Sequence, residues 1–176
     1  MNSIKTKSIN LSVIGCGRIA EFHIPAMKDA GFNIVSIAGS LNSKNVHDFS
    51  IKHKIPKFYL NPSDLIENSS EWEALLILSP VSTMVSYLEE AIIHGKPILV
   101  EKPVALNHLS LSGLIDYSNI RVAFNRRFYS GASLAKNFIK SHPNSVIKVT
   151  IPESRLDPNH NINFPEKLPL NSYENS

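Results

Sequence analysis

Gly15-Cys16-Gly17-Arg18-Ile19-Ala20 is the densest concentration of chemistry in the chain and fits the pattern G-x-G-x-x-G/A. It follows a short apolar run, Asn10–Ile14, that suits a buried strand, and it opens a segment with helical spacing of Ile19, Phe22, Ala26, Met27 and Ala30. Each position has its own physical reason. Gly15 permits the tight turn, Gly17 lets the backbone approach a pyrophosphate, and Ala20 lets the helix lie close on the strand. The opening turn of the helix, through Arg18 and Ile19, then offers N–H groups and a positive dipole end to phosphates. A bare strand-to-helix turn would carry similar glycines, but the strand before and the helix after lift this match above an isolated one.

The residue closing the second strand selects between dinucleotides. NAD-selective sites place Asp or Glu there to hold the ribose 2′-hydroxyl. Here Ser40 occupies that place, within Ile37-Ala38-Gly39-Ser40-Leu41-Asn42-Ser43-Lys44, and no acid occurs between Gly31 and His47. A small neutral side chain removes the repulsion against a 2′-phosphate, and Lys44 is a candidate partner for one. The choice between NAD and NADP stays open, with a tilt toward NADP. A second charged constellation, Glu101-Lys102-Pro103, ends the apolar run Pro97–Val100. Open α/β sheets bind ligands beyond the carboxyl ends of their strands, where this pair is expected to lie.

The elements that must position these residues alternate. Strands are expected at Asn10–Ile14, Asn33–Ala38, Lys57–Leu60, Ala74–Leu78, Pro97–Glu101 and Arg121–Phe124. Helices are expected at Arg18–Ala30, Val46–His53, Val81–His94, Leu106–Tyr117 and Gly131–Ser141, with a short capped helix at Ser63–Ile66 after Pro62. Pro25 should kink the first of these helices or disturb one turn. The alternation predicts an α/β fold, a doubly wound parallel sheet of Rossmann type, over residues 1–141. Ser145–Ile151 reads as a further strand. From Pro152 on, Pro158, Pro165 and Pro169 leave little room for regular structure. Residues 142–176 are therefore expected to be an irregular tail or the incomplete start of a second, α+β domain.

Composition narrows the class. A chain of 176 residues, 43% apolar and 19% charged, supports one full domain with a core. The net charge of +3 is small and its basic residues are scattered, which gives no case for nucleic acid. No apolar run is long enough to span a bilayer, and the N-terminus lacks the apolar stretch and cleavage site of a leader. Cys16 is the single cysteine, so no internal disulfide forms, which fits a reducing cytoplasm. Beside the glycine turn, Cys16 reads as packing rather than a nucleophile. The histidines show no metal-ligand spacing, and no metal site is expected.

The glycine turn, Glu101-Lys102-Pro103, Asn125-Arg126-Arg127-Phe128 and His23-x-Pro25-Ala26 occur in the order found in the N-terminal domain of the Gfo/Idh/MocA oxidoreductase family. The sequence resembles that domain from about Ser8 to Phe138. The resemblance implies a nicotinamide cofactor held by Gly15, Gly17, Arg18, Ile19, Ser40, Ser79, Pro80, Glu101 and Asn125. Glu101 would face the ribose–nicotinamide region. Lys102 would be the catalytic residue, reaching substrate to position it or relay a proton, with a cis bond to Pro103. Arg126 would join Asn125 at the edge of the site, whereas Arg127 and His23 are expected to be surface or supporting groups. A lysine can relay a proton at neutral pH only where burial or a nearby charge lowers its pKa. The sequence departs from the family's Thr-Pro-Asn-x-x-His segment, reading Ser79-Pro80-Val81-Ser82-Thr83-Met84. Ser79 and Pro80 preserve the turn, but Val81 and Met84 carry no polar side chain, so weaker contacts on the nicotinamide side are expected.

By the same resemblance, substrates would be small polar molecules: a sugar, inositol, nucleotide-sugar or related hydroxyl carbon. The family's second domain is a large sheet carrying the substrate pocket. The expectation is accordingly a truncated or split oxidoreductase that retains nucleotide binding, with catalysis by this chain alone left open. A homo-oligomer or a complementing chain would supply the rest. The alternative from a different class is a non-catalytic nucleotide-binding or assembly module.

Overall fold

Leu11 and Val13 point to one side of a strand while Ser12 and Ile14 point to the other, and all four are buried. A strand apolar on both faces must lie inside a sheet covered on both sides. The computed structural model describes residues 8–41, 43–114, 116–146 and 148. It places this strand, β1 (Asn10–Ile14), in the middle of a six-stranded sheet with β2 (Asn33–Ala38), β3 (Lys57–Tyr59), β4 (Ala74–Ile77), β5 (Ile98–Val100) and β6 (Ile120–Val122). The order is β3-β2-β1-β4-β5-β6 and every pairing is parallel. The expected doubly wound α/β sheet is thus the fold, and the chain reverses its winding direction at β1, between β2 and β4.

Alternation along the strands builds two cores. Leu11, Val13, Ile34, Ile37, Leu76 and Leu78 pack with Ala20 and Ile24 of α1 (Ala20–Asp29) and Val46 and Phe49 of α2 (Val46–Lys52). Ile14, Leu75, Ile77, Ile98 and Val100 pack on the opposite face with Leu65 and Ile66 of α3 (Pro62–Glu67) and Met84, Tyr87, Leu88 and Ala91 of α4 (Val81–Ile92). Right-handed crossovers explain the division: β1 to β2 to β3 moves one way with helices on one face, and β3 to β4 to β5 moves back with helices on the other. Ser12 and Ser36, the polar residues inside β1 and β2, satisfy each other at 2.7 Å between their Oγ atoms.

Pro25 stands inside α1, which runs unbroken over ten residues. Two local expectations change. The cap of α3 is Asn61, whose side chain accepts from the N–H of Ser63 at 3.2 Å, and Pro62 is the first helical residue, where its missing N–H costs nothing. The helix expected over Leu106–Tyr117 is a 3₁₀ segment, His108–Leu114. Gly113 and the serines 110 and 112 are weak α-formers, and the i, i+3 spacing of Leu111 and Leu114 suits a three-residue turn, with both leucines lining a small cavity together with Leu88, Val104, Ile120 and Val122.

The chain divides into two compact units, Met1–Arg127 and Phe128–Ser176. The first holds the sheet and its flanking helices. The second contains α5 (Ser130–Ser141), an amphipathic helix. Most of the strand expected at Ser145–Ile151, and all of the Pro-rich segment after it, lie outside the described residues.

Candidate functional site

The backbone ladder runs one residue past β1, β4, β5 and β6. Gly15 donates to the carbonyl of Ala38 at 2.8 Å, Leu78 to Ile14 at 2.7 Å, Glu101 to Ile77 at 2.9 Å and Ala123 to Val100 at 2.9 Å. These bonds fix where each loop leaves the sheet, so the loops after β1, β4, β5 and β6 start from a common rim.

At β1 the two glycines differ in kind. Gly15 has φ +110°, a conformation that side chains disfavour, and a Cβ built on it would stand 2.8 Å from both the carbonyl carbon and oxygen of Leu78. The turn after β1 is therefore pressed against the end of β4. A Cβ on Gly17 would meet nothing within 4 Å. Beside Gly17 lies a cavity of about 390 Å³, lined by Gly15, Gly17, Arg18, Ile19, Ser40, Ser79 and Pro80 among others. The structure thus brings together all seven of the residues expected from the first, second and fourth strands. Cys16, Ser43 and Asn45 also line it, and Cys16 Sγ lies 3.4 Å from Ser43 Oγ. Sequence patterns do not single out Ser43 or Asn45, because they belong to the turn that leads into α2.

Two helix beginnings face this cavity. α1 starts at Ala20 and α4 at Val81, directly after lining residues of each loop. Both present the positive end of a helix dipole to it. Ser79 adds a polar group without a partner: its hydroxyl is buried and makes no hydrogen bond within the protein. A buried hydroxyl left without a partner costs free energy unless something accepts from it or donates to it. An open glycine bend, two helix N-termini and an unpartnered hydroxyl fit a dinucleotide diphosphate with its ribose neighbours. Ser40 is exposed at the rim, its carbonyl accepting from Ser43 N–H at 2.7 Å, so no carboxylate occupies the end of β2.

The residues from β5 and β6 stand outside that cavity lining. Glu101 is mostly buried, and its carboxylate accepts from His23 Nε2 at 2.9 Å through Oε1 and from the N–H of Lys102 at 2.9 Å through Oε2. The Lys102–Pro103 peptide is cis, as the resemblance implies. Lys102 is exposed. Asn125 opens a 3₁₀ turn, Asn125–Phe128, just after β6, with its N–H on the carbonyl of Ala123 at 3.0 Å. Val81 is half-buried and Met84 is buried in the core under α4. Among the described residues no group of three or more His, Cys, Asp or Glu side chains forms a metal site, and no helix is long and apolar enough to cross a membrane.

The sequence model of the Gfo/Idh/MocA oxidoreductase family, described as having an NAD-binding Rossmann fold, matches residues 9–119. The chain belongs to this family. An oxidoreductase of Formosa agariphila is 31% identical over 118 residues, covering 65% of this chain and 36% of that protein. An inositol 2-dehydrogenase of Burkholderia multivorans is 26% identical over 144 residues, covering 76% of this chain and 42% of its own length. This Gfo/Idh/MocA chain therefore spans less than half the length of these relatives. Among solved structures, scyllo-inositol dehydrogenase from Lactobacillus casei with bound NAD(H) and scyllo-inositol superposes with a TM-score of 0.67. At 20% identity, over 78% of this chain and 42% of that one, this establishes likeness of fold.

Proposed function

We propose that this chain binds a nicotinamide dinucleotide across the carboxyl ends of β1, β2 and β4, and forms the cofactor-holding part of an oxidoreductase acting on a hydroxyl carbon of an inositol- or sugar-like polyol. The observation that carries the reading is the contrast between Gly15, packed against Leu78, and Gly17, which faces open space beside a cavity lined by two helix N-termini. The backbone at Gly17–Ile19 would hold the diphosphate, with the α1 dipole favouring its charge. Ser79 would satisfy its hydroxyl on the bound nucleotide, and Ser40 with Lys44 would lie at the adenosine ribose. When bound, the nicotinamide supplies the hydride-exchanging ring. Lys102, exposed just after β5, would reach the substrate side, where its ammonium would donate a hydrogen bond to the reacting oxygen and so position it. The polyol class is supported by the inositol dehydrogenases among the relatives and fold neighbours.

The test is titration of the purified chain with NAD⁺, NADH, NADP⁺ and NADPH, followed by nucleotide fluorescence and thermal shift. Saturable binding of at least one of them is expected, and binding of none overturns the proposal. A chain that binds but gives no turnover with polyols would match the non-catalytic module instead.

A further inference from the structure

His23 and Glu101 are 78 residues apart in sequence, on α1 and at the end of β5, with β4 lying between β1 and β5 in the sheet. They nevertheless meet at 2.9 Å, with side-chain exposures of only 18% and 15%. Both carboxylate oxygens of Glu101 are engaged, one by His23 Nε2 and one by the N–H of Lys102. Its backbone N–H is fixed as well, on the carbonyl of Ile77. The Glu-Lys-Pro turn is thus tied to β4 through its main chain and to α1 through a side chain. His23 in turn hangs from the cavity wall, because its N–H donates to the carbonyl of Ile19 at 3.2 Å and Ile19 lines the glycine turn.

We infer that His23 is a positioning residue, which through the Glu101 carboxylate sets the placement of Lys102 relative to the glycine turn. The inference rests on the proposed function, since it concerns the nicotinamide half of the same site. Glu101 on this account is a strut between helix and turn, its charge already shared between two donors. A single hydrogen bond of this kind is a modest part of global stability. What it does control is geometry at the one loop that carries the lysine, where displacements of about an ångström matter for reacting groups.

The two halves of the dinucleotide separate this role from simple structural support. ADP-ribose fills the glycine-turn side and lacks the nicotinamide. NADH and ADP-ribose (or NADPH and 2′-phospho-ADP-ribose, if the wild type prefers the phosphate) are titrated against wild type, His23→Asn and His23→Gln. Asparagine is too short to place a donor at the Nε2 position, whereas glutamine reaches it. His23→Asn is expected to weaken the reduced dinucleotide about fivefold, leaving ADP-ribose within about twofold of wild type, and His23→Gln to restore binding. Should the asparagine variant melt below the assay temperature, His23→Leu makes the same comparison. Leucine keeps much of the volume of the imidazole and offers no donor to Glu101, so the bond is lost and the same selective loss is expected. Parallel losses of both ligands, no loss at all, or a glutamine variant that behaves like asparagine would each overturn the positioning role. A wild-type chain that binds neither probe removes the proposed function itself.

Discussion

The turn after β1 and the turn after β5 both stand at the carboxyl rim of the sheet, yet they are built from opposite materials. The glycine turn is shaped by missing side chains: one glycine is pressed onto Leu78 and the other faces open space. The Glu-Lys-Pro turn is shaped by side chains, with Glu101 bonded at once to His23 and to the backbone of Lys102. A backbone-built site depends on what the chain leaves out at fixed spacing, so any ligand with the right charge and width can settle there. A side-chain-built site depends on partners brought from distant elements, and it can be retuned by a single substitution on another element.

The comparison breaks most visibly at the two glycines. Gly15→Ala should destabilise the fold by about 3 kcal/mol, because the methyl must enter a 2.8 Å gap at a positive φ; urea denaturation measures it. Gly17→Val should leave the melting temperature within about 2 °C of wild type, since a Cβ at this position meets no protein atom within 4 Å. The same substitution should weaken every nicotinamide dinucleotide by more than about tenfold, by occupying the approach to the backbone. A Gly17 variant that binds normally would show that no ligand uses the open space, and the division of labour between the glycines would fail.

The same contrast explains what could be read from the sequence. The strands and the glycine turn were legible because both are local: apolar runs fix buried strands, and the two glycines lie two residues apart. Gly15, Gly17, Ser40, Ser79 and Pro80 come together for a topological reason, as the ends of strands whose parallel order follows from alternation. The link between His23 and Glu101 left no local mark. Burial of Ala20 and Ile24 could indicate that His23 flanks the packed stripe of α1, but nothing in the spacing says which carboxylate it meets. The unpartnered hydroxyl of Ser79 is hidden likewise, because orphanhood is a property of neighbours. At Leu106–Tyr117 the error was one of period: leucines three apart read as an α-helix until Gly113 and the flanking serines are weighed.

At the side-chain-built turn, Lys102→Ala tests whether the lysine is held there for chemistry. Its side chain is exposed, so stability should stay within about 0.5 kcal/mol and ADP-ribose affinity should not change. Any polyol turnover should fall by about a hundredfold or more. An unchanged rate would leave the turn without a chemical role, and the contrast would reduce to one site and one brace.

The smallest effect sharpens the account of α1. Two residues before His23, Glu21 accepts from Lys52 Nζ at 2.7 Å and from His53 Nε2 at 2.9 Å. The Lys52 bond, against the opposing effect of partial burial and with help from His53, holds the Glu21 carboxyl below the usual glutamate range. A carboxyl whose pKa is lower folded than unfolded stabilises the fold above its unfolded value and loses that contribution as pH falls through the folded one. Glu21→Gln should therefore narrow the drop in melting temperature on acidification below the ordinary glutamate range, by a small margin because the pair is exposed to solvent. Binding of NADH and ADP-ribose at neutral pH should be unaffected. If Glu21→Gln instead weakened NADH selectively, as expected for His23→Asn, the seating of the whole helix would govern the Glu-Lys-Pro turn. The bond to Glu101 would then have no separate influence, and the two turns would differ in composition but not in how they are controlled.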